Sequence, residues 1–343
     1  MKNKLNSFLS VTTGILKLPV VIGLLSQNVR EQKKYIQKYL LPDLDYFQKN
    51  NDGSLKEADF KKITNYYALG VPAVLGYGFS LLRNYPLSTK ERSCMTYLGG
   101  ISGLLDDLFD EPEKEVLHLE SFIVDPENLK PNNNYESLLK HFYISGLKNS
   151  ENKSALKEQA DKVFNTEKES KLQNNKELSC DEIRELTFLK GGHSFLFYRL
   201  CLNNTLEEAE KKMIYQLGGL MQMGNDIFDV WEDVQQGIET LATKSYNITD
   251  LRKSFTKELD KAIEAVKNCR YPKKQLETFT RINLLGLSRI YVCLDQLEKL
   301  QISSNDVFEA STYSRDQLIC DMEKPENKKA AIKYYLRLHS QYL

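Results

Sequence analysis

The stretch LGGLMQMGNDIFDVWEDVQQG, residues 217–237, decides how the chain is read. Leu217, Leu220, Met221, Met223, Ile227, Phe228, Val230 and Trp231 occupy most of the circumference of a helix, the pattern of one buried on nearly all sides. Asn225, Asp229 and Asp233 recur every fourth residue and form one polar stripe on it, with Gln222 one turn earlier and Asp226 at its flank. Polar and charged groups in apolar surroundings cost free energy unless something pairs with them. The stripe therefore calls for a ligand.

Outward from this stretch, apolar residues recur at helical spacing almost everywhere, and strand-like alternation is rare. The spacing predicts helices near 30–40, 57–84, 88–110, 134–146, 181–202, 206–236, 249–267, 273–299, 305–317 and 327–341, with breaks at NNDGS, RNYPLS, KPNNN and NCRYP. Residues 147–182 are strongly polar and read as a solvated helix or a mobile connection inside one domain spanning 1–343. The fold class expected is all-α, a single-domain helical bundle. The chain is long enough to bury a sizeable core.

Composition narrows the function. Lys+Arg and Asp+Glu are both 47, so the basic surplus of a nucleic-acid-binding protein is missing. The six cysteines are scattered without a CxxC pair, which argues against a zinc knuckle or a disulfide framework and for a reducing, cytoplasmic setting. The N-terminal MKNKLNSFLSVTTGILKLPVVIGLLSQ is broken by Lys17 and Pro19 and falls short of the roughly 18–20 apolar residues of a membrane span. It reads as a helix packed on the body, with association at a membrane surface as the alternative.

A second acidic stretch stands upstream. In GGISGLLDDLFDE, residues 99–111, an apolar run with Gly99, Gly100 and Gly103 leads into Asp106, Asp107, Asp110 and Glu111. Asp106 and Asp110 share a helix face. Carboxylates this close repel one another unless a cation is present, and a hard divalent cation with oxygen ligands resolves the conflict. Neither stretch has the spacing or the turn glycine of a calcium loop. Alone, each is also compatible with an acidic, solvated helix face. Taken together, two glycine-led apolar helices carrying oxygen ligands in register suit Mg²⁺ ions that bind substrate phosphates.

With these residues in view, the sequence resembles the class I isoprenoid synthase superfamily. DDLFDE is similar to its aspartate-rich DDxxD motif. Residues 222–237 resemble its distal motif in three variants: the NSE triad of terpene synthases, the second motif of squalene and phytoene synthases, and the QxxDDxxD of trans-prenyltransferases. Lys190, before Gly191-Gly192 in ELTFLKGGHSFLFYRL, resembles the lysine that holds diphosphate oxygens in prenyltransferases; a lysine snorkelling from a buried helix is the alternative. His193 nearby reads as a packed core residue.

The resemblance implies an antiparallel bundle with a central cavity, three Mg²⁺ ions, and Asp106, Asp107, Asp110, Asn225, Asp229 and Asp233 as their ligands. It implies an isoprenoid diphosphate as the partner molecule, no nucleic acid and no transmembrane segment; a homodimer stays open. Arg184, Lys244, Tyr313 and Arg315 join Lys190 as candidate diphosphate contacts. Tyr77, Phe79, Phe195, Trp231 and Gln222 are candidate pocket residues, with Tyr66, Tyr67 and Phe197 as further aromatics. EPEKEVLHLE, after the first motif, lacks the arginine pair of chain-elongating enzymes, so the expectation is a terpene synthase that ionises one allylic diphosphate. Head-to-head condensation, chain elongation and a helical binding or scaffold protein are the alternatives.

Overall fold

The computed structural model describes the backbone of residues 2–110, 117–171 and 178–343; of these, the side chains of 2–10, 106, 107, 109, 110 and 117–120 lie outside the description. Among the described residues the chain is helical and contains no strand, so the all-α expectation holds. None of these helices is long and apolar enough to cross a membrane.

In chain order the helices are α1 (Lys2–Tyr35), α2 (Leu41–Lys49), α3 (Glu57–Lys62), α4 (Ala68–Gly70), α5 (Tyr77–Arg83), α6 (Thr89–Asp110), α7 (Leu117–Val124) and α8 (Asn134–Lys148). There follow α9 (Lys153–Ser170), α10 (Cys180–Arg199), α11 (Glu208–Phe228), α12 (Val230–Gln236), α13 (Ile248–Lys267), α14 (Lys273–Ser303), α15 (Arg315–Leu318) and α16 (Pro325–Tyr342). The helix expected over 57–84 is present, but its turns widen to π geometry at Ile63–Tyr67 and Val71–Gly76. Pro72 lies in the second of these, where it removes a backbone donor.

One further expectation changes, and one of two alternatives is chosen. Residues 305–317 do not form one helix: Asn305 and Asp306 adopt positive φ (56° and 62°), and only short helical turns follow. Asn and Asp tolerate that left-handed region, so the chain reverses there. The polar stretch 147–182 contains α9, regular over 18 residues, with Leu156, Ala160 and Phe164 forming a buried stripe at fourth-residue spacing. Gln159, Thr166 and Glu167 are buried beside them, and most of its other polar residues face outward.

The chain divides into two compact units interleaved in sequence. One comprises Met1–Val21, Glu169–Phe195 and Glu207–Leu343, and holds the 217–237 motif. Its core is built where α11 and α14 pack on α13, and α14 on α16. Leu217, Leu220, Phe255, Leu259, Leu294 and Tyr335 are buried there. The other comprises Ile22–Lys168 and Leu196–Leu206, and centres on α6 against α8 and the 57–83 run. In it, a Cβ on Gly100 would stand 2.9 Å from the Phe142 ring and one on Gly103 2.5 Å from the Tyr67 ring, so these glycines give α6 its close neighbours. An ion pair is sealed in this unit: Arg83 Nη1 and Nη2 donate to Glu91 at 2.5 and 2.6 Å.

Candidate functional site

The site is assembled on α10, α11 and α12. A capping box starts α10: the Ser179 hydroxyl and the Glu182 carboxylate each accept from the other's backbone N–H, at 3.3 and 2.8 Å. The helix then runs unbroken through Gly191-Gly192. The glycines serve packing. Gly191 faces the Gly218 backbone of α11, Tyr215 covers Gly192, and Phe188 covers Gly219, so the two Gly-Gly pairs interlock. Helices in such contact bring short side chains within reach across the crossing.

Thr187 is one of these. Buried on α10, it donates from Oγ1 to Asp226 Oδ2 at 3.2 Å, while Gln222 Nε2 donates to Asp226 Oδ1 at 2.9 Å. The flanking residue of the sequence pattern is thus the most buried carboxylate of the motif. Asn225 is exposed and donates from Nδ2 to Asp229 Oδ2 at 2.6 Å.

The continuous helix expected over 206–236 is interrupted at Asp229 (φ −94°, ψ 13°), between α11 and α12. Backbone bonds persist on both sides, from Asp229 N to Asn225 O and from Asp233 N to Asp229 O, each 2.9 Å. The stripe therefore bends without coming apart. Gly237, with φ 70°, ends α12.

Electrostatics couples the group. Burial pushes the Asp226 carboxyl up to about 6 and nearby Asp229 adds to the rise, against hydrogen bonds from Gln222 and Thr187 and the charge of Lys190. Burial followed by repulsion from Glu232 raises Asp229, which the Asn225 bond partly offsets. Asp233 is pushed furthest, to about 8, by burial and then by Asp226, Asp229 and Glu232, with Lys190 opposing. Its Oδ2 is buried and has no hydrogen-bond partner among the described residues. Lys190 is the cation felt by both Asp226 and Asp233.

The other candidate residues are distributed as follows. Asp106, Asp107 and Asp110 fall in the last turns of α6 and Glu111 just beyond it; their side chains, and Glu111 altogether, lie outside the described residues. Arg184 pairs with Asp181 on the surface of α10. Lys244 is held by Glu239 at 2.8 Å and by the Leu178 carbonyl at 2.9 Å. The Tyr313 hydroxyl donates to Leu300 O and bonds Ser304 Oγ, its ring stacks on Phe308, and Arg315 is exposed. Residues 310–318 nonetheless pack beside α12.

Phe195 and Trp231 are half-buried, as is Tyr77, and Phe79 is buried in the other unit. Tyr66, counted among the pocket aromatics, is 68% exposed, so it forms no wall in this unit. His193 packs edge-on to Tyr215 at 5.6 Å.

Two residues near the motif were not read from the sequence. Thr187 stands three residues before Lys190, on the same helix face, and that spacing was a usable signal. Arg289 of α14 lies 5.9 Å from the Phe228 ring centre, and no local pattern marks it.

Chemically, the cluster offers oxygen ligands of the kind a hard divalent cation takes, beside one cation suited to an anion. Among the described residues no three His, Cys, Asp or Glu side chains converge as a ready-made metal cage. Mg²⁺ rarely requires one, because it is usually held by one or two carboxylates together with substrate phosphate and water. No family model, no curated protein and no solved structure matches the chain.

Proposed function

We propose that the chain is a Mg²⁺-dependent class I isoprenoid synthase of the terpene synthase kind, which ionises one allylic isoprenoid diphosphate in a helical bundle with a central cavity. The observation that carries this reading is the buried Oδ2 of Asp233, which has no hydrogen-bond partner among the described residues and feels the charges of Asp226, Asp229 and Lys190. Such a group is costly in a structure with no use for it, and a cation relieves both its missing partner and its repulsions. The donor set fits the metal in kind, and binding by part of it fits the lack of a formed cage.

In this reading Asn225, Asp229 and Asp233 hold Mg²⁺, and DDLFDE is the second acidic motif that the resemblance implies. When bound, Mg²⁺ supplies Lewis-acid stabilisation of the charge that develops on a departing diphosphate. Lys190 binds the diphosphate oxygens and orients the leaving group. Gln222 and Thr187 fix the Asp226 carboxylate and keep its charge beside Lys190. Phe195 and Trp231 offer ring faces that exclude water and favour a carbocation by about 0.5–2 kcal/mol each.

The test is incubation of the purified chain with geranyl, farnesyl and geranylgeranyl diphosphates, with Mg²⁺ or with EDTA, followed by analysis of the organic extract. One Mg²⁺-dependent hydrocarbon or alcohol is expected, and it should vanish in Asp233→Asn. A product of doubled carbon number replaces this reading with head-to-head condensation. Absence of turnover, together with no thermal stabilisation by Mg²⁺ and pyrophosphate, overturns it.

A further inference from the structure

Helix α1 has two apolar sides. One is buried: Gly14 lies against His339, where a Cβ would stand 3.1 Å from the ring, and Leu18 and Val21 follow at helical spacing. The other side faces solvent although it carries Ile15 (52% exposed), Leu16 (69%), Val20 (54%) and Ile22 (44%). Scattered exposed apolar residues are ordinary, but four within eight positions of one helix form a patch, and patches of this kind mark interaction surfaces. Pro19 and Gly23 lie among them, both exposed, and no heavy atom comes within 4 Å of a Cβ placed on Gly23. Among the described residues nothing covers this face.

Charge identifies what does. The first thirty residues include Lys2, Lys4, Lys17 and Arg30 and no Asp or Glu, and the first acid is Glu31. Over the whole chain the charges balance, 47 against 47, so the basic excess is local to the helix that carries the apolar patch. Lys17 is exposed beside Leu16. An exposed apolar face on a stretch of helix whose own charges are all positive is complementary to an anionic bilayer surface, where side chains enter the interface and lysines meet lipid phosphates. A protein partner would need an acidic apolar groove, whereas a lipid surface supplies both features at once. The helix lies on the membrane and does not cross it, since it is not apolar enough to span.

We infer that α1 docks the protein on anionic membrane surfaces through Ile15, Leu16, Val20 and Ile22, with Lys17 contacting the headgroups. The inference is independent of the proposed reaction, because binding is read without substrate.

The experiment is flotation of the full chain with phosphatidylcholine vesicles, with and without phosphatidylglycerol, at low and high salt. The wild-type chain is expected to float with the anionic vesicles and to be released by salt. Leu16→Glu combined with Val20→Glu should weaken this at least tenfold, and Lys17→Glu several-fold. These side chains already face water, and unchanged helical circular dichroism confirms that the variants fold. Wild-type protein that stays with the pellet, or a double variant that floats equally well, overturns the inference. So does a wild-type dimer in light scattering that the double variant abolishes without any vesicle binding, for then a second copy covers the face.

Discussion

Gly191 of α10 and Gly218 of α11 meet backbone to backbone. A Cβ placed on Gly191 would stand 2.1 Å from the Gly218 carbonyl oxygen, and one placed on Gly218 2.2 Å from that of Gly191. Because the obstruction is backbone, no rotamer change relieves it, and the helices must separate to admit a methyl group. The same contact sets the reach of Thr187 to Asp226.

Gly191→Ala is accordingly expected to cost about 1–3 kcal/mol, as overpacking does. Gly23→Ala is the control: it is helical and meets nothing, so it should gain about 0.5–1 kcal/mol. Urea denaturation of both variants checks this. Equal stability of Gly191→Ala and wild type would contradict the crossing.

The Asp233 carboxyl makes stability fall with rising pH when divalent cations are chelated. Its value in the folded chain, about 8, lies above the ~3.9 of an unfolded aspartate, so the native state holds the proton more tightly. That stabilisation is complete below about pH 4 and is lost as the pH rises through about 8. Asp233→Asn carries no such titration. Wild type should therefore lose stability relative to the variant between pH 5 and 8 in EDTA, as read from urea midpoints. Parallel curves would refute the shift.

Glu91 behaves oppositely. Burial alone would raise its carboxyl, but the Arg83 guanidinium and the backbone N–H groups of Asn203 and Ser88 outweigh this and bring it to about 2. Its contribution is present above the ordinary ~4.3 of glutamate and is lost as the pH falls through about 2. Glu91→Gln leaves Arg83 buried beside a neutral partner and should cost about 3–5 kcal/mol at neutral pH. Chemical denaturation at pH 7 measures it, and a loss under 1 kcal/mol would contradict the seal.

Lys190→Met removes a charge that opposes the rise of both Asp226 and Asp233. A hydrogen bond to a charged group is worth about 1.5–3 kcal/mol, so affinity for Mg²⁺-pyrophosphate should drop roughly tenfold or more. Isothermal titration calorimetry reads this directly, and an unchanged affinity would remove Lys190 from the diphosphate site.

Tyr313→Phe separates the two roles given to that hydroxyl. Its bonds to Leu300 and Ser304 predict a loss of about 1 kcal/mol in stability and no change in turnover. A rise in KM at unchanged stability would return it to the substrate.

The helical spacing of apolar residues was sufficient for the fold class, because burial of one face is written in every turn of α11, α13 and α14. Spacing was weaker where backbone chemistry intervenes. Pro72 widens a helix that keeps its apolar period, and Asn305 with Asp306 turns the chain where the period alone continued it. The α9 stripe of Leu156, Ala160 and Phe164 was diluted by the charged residues between its members.

At the candidate site, the local pattern singled out the acidic residues of 222–237 by their helical spacing, and the resemblance singled out Lys190. It gave them equal weight, and the structure does not. Asp226, read as a flank, is the buried carboxylate, while Asn225 is exposed. That difference arises from the face of α10 laid on α11, where Thr187 meets Asp226, and this contact is not a property of residues 222–237 alone.

The sequence by itself thus determined the helices, the acidic stripe and the lysine beside it, because hydrophobic period and charge are local quantities. Tertiary structure alone decided how far each carboxyl is raised and which oxygen lacks a partner among the described residues. A pKa depends on what excludes water and what charge lies close in space: burial raises Asp226 and Asp233, and α10 supplies the opposing groups, Lys190 at both and Thr187 at Asp226.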